Sequence, residues 1–187
     1  MKPFITFISL MIVLFSCNGR TAHEVRPDVR ADTLAADSLY RNSTSLPAPG
    51  SSIIHTGNVS PESLVAFSKT LVGVPYKYAS ADPAQGFDCS GFISYVFNHF
   101  NIEVPRSSVD FTNAGTPVQK EQSKAGDLIL FTGTDTLETQ VGHMGIITEN
   151  TDSIRFIHST SGKKYGVTIT PLNEYYLKRF VKVIRVF

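Results

Sequence analysis

The chain has 187 residues, a length suited to one domain preceded by a short targeting segment. Hydrophobic residues make up 42% of the chain and charged residues 18%, so there is enough apolar material for a packed core. The formal net charge of +1 provides no excess of positive charge for nucleic-acid binding, and we expect no nucleic-acid partner.

Residues 1–17, MKPFITFISLMIVLFSC, have the features of an export signal. A basic start is followed by an apolar run from Phe4 to Phe15, which is too short to span a bilayer as a stable helix. The run ends in LFSC, which resembles a bacterial lipobox. The resemblance implies a signal peptide over residues 1–16, cleavage after Ser16 and acylation of Cys17. An ordinary secretory signal with an incidental cysteine is the alternative.

Acylation would determine where the protein acts. Several acyl chains on Cys17 would hold it on a membrane, since each buried CH₂ contributes about 0.8 kcal/mol. We therefore expect a lipoprotein of the bacterial cell envelope that faces the periplasm or the wall, on either membrane. Residues 17–59 lack apolar periodicity and predict a flexible tether, which leaves residues 60–187 for the domain.

Helices are predicted in the first part of the domain. Ser60 is a suitable N-cap and Pro61 suits the first position of a helix. Asp88 is the predicted N-cap of a second helix from about Cys89 to Phe100, because apolar residues recur there at helical spacing. A shorter helix is predicted over Ser107 to Ala114.

Beyond the sequence KAGD the pattern changes from helices to strands. The predicted strands are Leu128–Phe131, His143–Glu149, Ser153–Ser159, Gly166–Thr170 and Phe180–Phe187. Helices followed by strands, rather than alternating with them, indicate an α+β domain with an antiparallel sheet.

Cys89 is the residue whose position points most clearly to chemistry. With Cys17 acylated, Cys89 has no partner for a disulfide within the chain, and an exported free thiol is a liability unless it is used. In the first turn of a helix, unpaired N–H groups favour a thiolate and can bind an oxyanion. A buried cysteine that only fills space is the alternative. Asp88 opposes the thiolate, so we assign it to capping or to binding a substrate cation.

A cysteine nucleophile needs a base, and the chain has five histidines. His23 and His55 fall in the predicted tether, and His99 lies ten positions after the cysteine on the same helix and points elsewhere. His143 and His158 remain. A hairpin whose turn is centred near residues 150 and 151 would place these two directly opposite each other, close enough for one imidazole to orient the other.

Six stretches occur in the order found in NlpC-type cell-wall cysteine peptidases, and the chain resembles that family from about Ser60 to Phe187. They are GVPYKY, GFDCSGFISYVF, VPRSS, AGDLILF, GHMGIIT and FIHSTSGKKYGVTI. The resemblance implies a papain-like α+β fold. It also implies cleavage of peptidoglycan stem peptides, usually between γ-D-glutamyl and a diamino acid.

The resemblance also implies roles for individual residues. Cys89 matches the nucleophile, His143 the base, and His158 the polar residue that orients the base. Asp88 and Ser90, on either side of the nucleophile, match residues that meet a substrate amine. In addition, Tyr76 matches a tyrosine near the oxyanion site.

The chain departs from the family pattern at several positions near the predicted cleft. Ala79 and Ser80 stand where the family often has two glycines, and the stretch between these residues and Cys89 is one residue longer than in some relatives. Phe111 stands where a glutamine is common. These departures leave the three predicted catalytic residues in place and affect the shape of the substrate cleft.

Three other functions are compatible with parts of this pattern. A papain-like fold also serves amidases and acyl transferases, and the fold does not distinguish them. A metal site made by Cys89, His143 and His158 would lack CxxC or HExxH spacing and a clear fourth ligand, so we expect no metal or other cofactor. A non-enzymatic wall-binding lipoprotein is the third alternative. We expect a monomer.

Overall fold

The structure is a computed structural model, and it describes residues 53–135, 137 and 139–187. The predicted signal peptide, the predicted acylation site at Cys17 and the predicted tether as far as residue 52 lie outside the described residues. Within the described part of the chain, no helix is long and apolar enough to cross a bilayer.

The first helix, α1, spans Pro61–Thr70. The Ser60 side chain accepts a hydrogen bond from the Ser63 backbone N–H at 3.2 Å, so the predicted N-cap and the proline at the first helical position are confirmed. Leu64 on this helix is fully buried. Ile54, which precedes the helix, is also buried and belongs to the same apolar cluster.

The second helix, α2, spans Cys89–Asn98 and begins where the sequence predicted. The Asp88 carboxylate accepts a hydrogen bond from the Gly91 backbone N–H at 2.5 Å, which confirms its role as N-cap. The part of the chain that the structure describes has three further short helices: 3₁₀ helices over Ser108–Asn113 and Lys120–Gln122, and the α-helix α3 over Glu174–Leu177. The first of these takes the place of the short helix predicted over residues 107–114.

Among the described residues there are eight strands, which in chain order are β1 Ala81–Asp82, β2 Gly86–Phe87, β3 Thr116–Val118, β4 Leu128–Thr132, β5 Val141–Asn150, β6 Ile154–Thr160, β7 Gly166–Pro171 and β8 Phe180–Arg185. β1 and β2 pair with each other. The other six form an antiparallel sheet in the order β3-β8-β4-β5-β6-β7. The predicted α+β class and the five predicted strands are confirmed.

Strand β4 is buried on both faces of the sheet. Leu128 and Leu130 belong to the apolar cluster that includes the buried side chains of α2, and Ile129 and Phe131 belong to a second cluster on the opposite face. Double-sided burial explains why this strand reads as an uninterrupted apolar run instead of alternating with polar residues. Helix α2 packs across β5 and β6, the strands that carry the two histidines.

The register of the β5–β6 hairpin differs from the predicted one. Ile147 pairs with Phe156, a shift of two residues from the pairing that would place His143 opposite His158. An irregularity between Ile147 and Glu149 lengthens β5 near the turn, which no pattern in the sequence indicated. Because side chains alternate with a period of two, this shift keeps both histidines on one face and makes them diagonal neighbours.

Residues 73–77, here called the Tyr76 segment, run between β7 and β2. Two backbone hydrogen bonds join the start of the segment to Val167, and two more join its later part to Phe87, all 2.8–3.1 Å long. The segment therefore connects the small hairpin to the edge of the main sheet, and this fixes the backbone of Tyr76 beside the start of α2.

The loop after the Tyr76 segment packs directly on the first turn of α2. A Cβ atom added at Gly91 would collide with the Ser80 carbonyl oxygen, so no larger residue fits there without moving the loop. Ala79 has φ +56°, in the left-handed region that favours glycine. One of the two departures from the family's glycine pair is thus an alanine in a strained conformation.

Candidate active site

Cys89 is the first residue of α2, and its side chain is partly exposed. Its Sγ atom lies 3.8 Å from the Gly142 carbonyl oxygen and accepts a hydrogen bond from the Met144 backbone N–H. Gly142 and Met144 are the two chain neighbours of His143. The sulfur therefore lies against the part of β5 that carries the predicted base.

The surroundings of Cys89 favour the uncharged thiol in the free protein. Burial raises the pKa of this thiol to about 11, and the Asp88 carboxylate acts in the same direction. Hydrogen bonds from the backbone N–H groups of Ser90, Cys89 and Met144 favour the thiolate but are the weaker effect. The backbone N–H groups at the start of the helix thus favour the thiolate, as expected. Desolvation of the thiol has the larger effect on its pKa.

The two predicted catalytic histidines are in direct contact. His143 Nε2 lies 2.9 Å from His158 Nδ1, and the two rings are inclined at 82°. His158 is fully buried, and its other ring nitrogen lies 2.9 Å from the Thr170 hydroxyl oxygen. A continuous line of hydrogen-bonding groups therefore runs from β7 through β6 to β5.

Both imidazoles are held in the uncharged form. Burial lowers the pKa of His143 to about 3, and the positive charge of Arg179 acts in the same direction. The pKa of His158 also lies well below its ordinary value, because of burial first and then of charges on His143 and Arg179. At neutral pH the uncharged thiol of Cys89 and the uncharged imidazole of His143 are therefore the favoured forms.

An aromatic cluster and an arginine enclose the histidine pair. The ring of Tyr176, on α3, lies 5.4 Å from that of His158 and 6.2 Å from that of His143. Arg179 donates to the backbone carbonyls of Thr132 and Gly133 at 2.7 and 3.0 Å. No pattern in the sequence pointed to Tyr176, because α3 is a four-residue helix with no detectable periodicity, or to Arg179, whose partners lie 46 and 47 positions away in the chain.

On the other side of Cys89, an ion pair occupies the start of the helix. Arg106 contacts both carboxylate oxygens of Asp88, at 2.7 and 3.1 Å, and the Ser90 hydroxyl at 3.0 Å. Asp88 and Ser90 are buried, whereas about half of the Arg106 side chain is exposed. The sequence analysis did not assign Arg106, although it lies in the VPRSS stretch that carries part of the family resemblance.

Tyr76 lies beside the thiol and is partly exposed. Burial raises the pKa of its hydroxyl, and negative charge on Cys89 and Asp88 would raise it further. At neutral pH the hydroxyl therefore keeps its proton and can donate a hydrogen bond. The ring meets that of Tyr165 edge to face at 6.0 Å, and Tyr165 itself is 59% exposed.

The structure brings the predicted site residues together at the start of α2, and these are Cys89, His143, His158, Tyr76, Asp88 and Ser90. Cys17 lies outside the described residues. Among residues 53–135, 137 and 139–187, no group of three or more His, Cys, Asp or Glu side chains is arranged to hold a metal ion.

Two curated proteins are similar to the chain in sequence. A gamma-DL-glutamyl hydrolase of Bacillus subtilis (strain 168) is 35% identical over 125 residues, which are 66% of this chain and 29% of the hydrolase. The murein DD-endopeptidase MepS/murein LD-carboxypeptidase of Escherichia coli (strain K12) is 28% identical over 182 residues, which are 96% of this chain and 89% of that enzyme.

A solved structure and a family model lead to the same assignment. The crystal structure of an NlpC/P60 family protein from Bacillus cereus ATCC 10987 superposes with a TM-score of 0.61 at 30% identity, covering 70% of this chain and 41% of that one. The model of the NlpC/P60 family matches residues 73–186, which include every predicted site residue except Cys17. The chain belongs to the NlpC/P60 family.

Proposed function

We propose that this chain is a cell-wall hydrolase, a cysteine endopeptidase that cleaves the stem peptides of peptidoglycan. The observation that carries the proposal is the position of the Cys89 sulfur against β5 beside His143, with His158 buried behind that histidine. Family membership supports it, as do two relatives named a gamma-DL-glutamyl hydrolase and a murein DD-endopeptidase and LD-carboxypeptidase.

In the proposed mechanism Cys89 is the nucleophile and His143 the base. His143 Nε2 is bonded to His158, so Nδ1 is the nitrogen that takes the thiol proton as sulfur attacks the amide carbon. A C–S bond forms while the carbonyl electron pair moves to oxygen. His143 then gives its proton to the leaving amine as the C–N bond breaks. Water hydrolyses the resulting thioester, and the thiol is restored.

Two donors are available for the negative oxygen of the tetrahedral intermediate. The backbone N–H of Cys89 is unpaired within the helix, as the first N–H groups of any α-helix are. We propose that the Tyr76 hydroxyl is the second donor, because its raised pKa keeps it protonated beside Cys89. The Tyr76 segment is held by backbone hydrogen bonds on both sides, which positions this donor before substrate arrives.

We propose that Asp88 and Ser90 meet an amino group of the stem peptide. The Asp88 carboxylate already binds Arg106 and the Gly91 N–H, so an incoming ammonium group would share it with a guanidinium. Asp88→Asn should therefore raise KM for a stem peptide with a free amino terminus. The same peptide with an acetylated terminus is the control, and an equal rise in KM for both peptides would contradict this role.

The bond that is cut is a separate question, and the two relatives named above differ on it. We propose the bond between γ-D-glutamyl and the diamino acid. Digestion of purified peptidoglycan and defined muropeptides, followed by mass analysis, distinguishes the alternatives. Release of a dipeptide that ends in glutamate supports the proposal. Conversion of cross-linked dimers to monomers with intact stems would show cleavage of the cross-link instead.

The same digestion separates hydrolysis from other reactions of papain-like folds. Products that carry an added amine instead of water would identify an acyl transferase. Cys89→Ala provides the inactive control for each substrate. If purified wall material gave no new products with the wild-type chain, the proposed function would be wrong.

We also propose that Cys17 is acylated and anchors the chain to a membrane of the bacterial envelope. The proposal depends on the LFSC sequence after the apolar run. Cys17→Ala should move the protein from the membrane fraction to the soluble fraction or block its maturation. Incorporation of a labelled fatty acid that is unchanged in Cys17→Ala would contradict it.

A further inference from the structure

We propose that Thr170 is a positioning residue that selects the tautomer of His158, and through it the nitrogen that His143 presents to Cys89. The inference rests on the proposed function, because it concerns the base in that reaction. None of the family stretches identified in the sequence points to Thr170. Its hydroxyl is at the end of the line of hydrogen-bonding groups behind the thiol.

The contacts define the order of the groups. Thr170 Oγ1 lies 2.9 Å from His158 Nε2, and His158 Nδ1 lies 2.9 Å from His143 Nε2. The contact between Thr170 and His158 runs diagonally across the β6–β7 pair, because the residue directly opposite His158 is Thr168. Both ring nitrogens of the buried His158 are thereby engaged, one by Thr170 and one by His143.

Proton positions follow from the requirement for a base. For His143 to accept the thiol proton at Nδ1, its own proton must be on Nε2 and must be donated to His158 Nδ1. A neutral His158 that accepts at Nδ1 carries its proton on Nε2, where the Thr170 oxygen accepts it. Thr170 as an acceptor therefore stabilises the one arrangement in which the lone pair of His143 faces the sulfur.

The opposite arrangement is possible for a hydroxyl group, and burial disfavours it here. If Thr170 donated to His158, both imidazoles would adopt the opposite tautomer. His143 would then present a protonated Nδ1 to the thiol. Thr170 is partly exposed, so its own O–H can find an acceptor in solvent. His158 is fully buried, so its Nε2–H would have no other acceptor if Thr170 were lost, and a buried unpaired donor is costly.

Steady-state kinetics of Thr170→Val and Thr170→Ser test the proposal on a defined muropeptide. Valine keeps the branched shape without the acceptor, so kcat should fall roughly ten- to a hundredfold while KM stays unchanged. Serine should restore most of the lost kcat. Thr168→Val is the matched control, since it removes a hydroxyl directly opposite His158 and should leave kcat unchanged.

Nitrogen-15 NMR of labelled histidine gives a readout independent of activity. In the wild-type chain His158 should carry its proton on Nε2, and in Thr170→Val the Nδ1-protonated form should become populated. A wild-type His158 protonated on Nδ1 would overturn the proposal, even if the valine variant failed to fold. So would a valine variant with wild-type kcat, or one with reduced kcat and an unchanged tautomer.

Failure of the proposed function gives a different result. If the wild-type chain released no product from any muropeptide, the reaction assignment would fall, while the NMR experiment would still decide whether Thr170 sets the tautomer. If wild type were active and Cys89→Ala inactive, full activity of Thr170→Val would overturn only the role of Thr170.

Discussion

His143 Nε2 lies 2.9 Å from His158 Nδ1, although the two residues do not oppose each other in the β5–β6 hairpin. They are diagonal neighbours on one face, and their rings meet nearly at right angles. A diagonal pair spans more distance than an opposed pair, and two imidazoles are long enough to close it. The contact therefore requires that both residues lie on the same face of the sheet, but not that they stand directly opposite each other.

The two histidines should not be equally important for turnover. His143→Ala removes the proposed base and should reduce kcat/KM by roughly 10²–10⁴, the usual contribution of general acid–base catalysis. His158→Gln should keep more activity than His158→Ala, because an amide oxygen can still accept from His143 Nε2. Kinetics on one muropeptide compare all three. Higher activity in His143→Ala than in His158→Ala would reverse the assignment.

Removal of the nucleophile should abolish hydrolysis without unfolding the chain. Cys89→Ala leaves the Asp88 cap and the packing of α2 in place, so circular dichroism and the melting temperature should stay close to wild type. Cys89→Ser should be nearly inactive, because a hydroxyl is a far weaker nucleophile at this position. Cys17→Ala is the matched cysteine control and should remain fully active on soluble muropeptides.

Alkylation of Cys89 should report the protonation state of its thiol. The thiolate is the reactive form, and burial together with Asp88 raises the pKa of this thiol to about 11. In a Cys17→Ala background, the rate of reaction with iodoacetamide should keep rising with pH above pH 9. A rate that reached its plateau below pH 7 would show that Cys89 and His143 form an ion pair in the free protein.

The contact between His143 and the buried His158 should make the fold sensitive to acid. The pKa of His143 falls to about 3 in the folded chain from an ordinary value of about 6.5. Between these values the unfolded chain binds more protons, so stability is fully present above about pH 6.5 and declines as pH falls toward 3. Denaturant unfolding at several pH values should show a shallower decline for His143→Gln. An equally steep decline would contradict this origin.

A methyl group at the start of α2 should displace the loop that follows the Tyr76 segment. Gly91→Ala forces its Cβ into the Ser80 carbonyl, and overpacking of this kind costs about 1–3 kcal/mol. We expect lower unfolding stability together with reduced kcat, since the loop adjoins both Cys89 and Tyr76. Gly162→Ala is the control, because an added Cβ there meets only the Thr160 hydroxyl. Wild-type kcat in Gly91→Ala would show that the loop position is unimportant.

Much of the fold follows from local patterns that the sequence displays openly. N-caps at Ser60 and Asp88 fixed the starts of both long helices, and the five longer strands were recognisable from β-branched and aromatic runs. Strands β1, β2 and β3 have two or three residues each, too few for a period to appear. The predicted hairpin register was wrong because the turn is centred on Asp152, where Asn150 pairs with Ile154, and not between residues 150 and 151. The irregularity in β5, which hydrophobic alternation does not reveal, then brings both histidines to one face.

For the candidate site, the sequence indicated the residue types and the structure adds their partners. Cys89 and the two histidines could be chosen by position and elimination. Arg106 and Thr170 could not, because each acts through a residue distant in the chain: the first on Asp88 and the second on His158. Contacts between separate helices and strands depend on how these elements are arranged in the fold. Hydrophobic periodicity along the sequence does not indicate that arrangement.

The double-sided burial of β4 and the solvent exposure of the Tyr76 segment imply unequal local opening of the molecule. Amide protons of β4, paired to strands on both sides and covered on both faces, should exchange with solvent only through global unfolding. Those that join the Tyr76 segment to Val167 and Phe87 should exchange faster, through a local opening. Such an opening would carry Tyr76, the proposed oxyanion donor, away from Cys89 and His143 while these two residues stay in place.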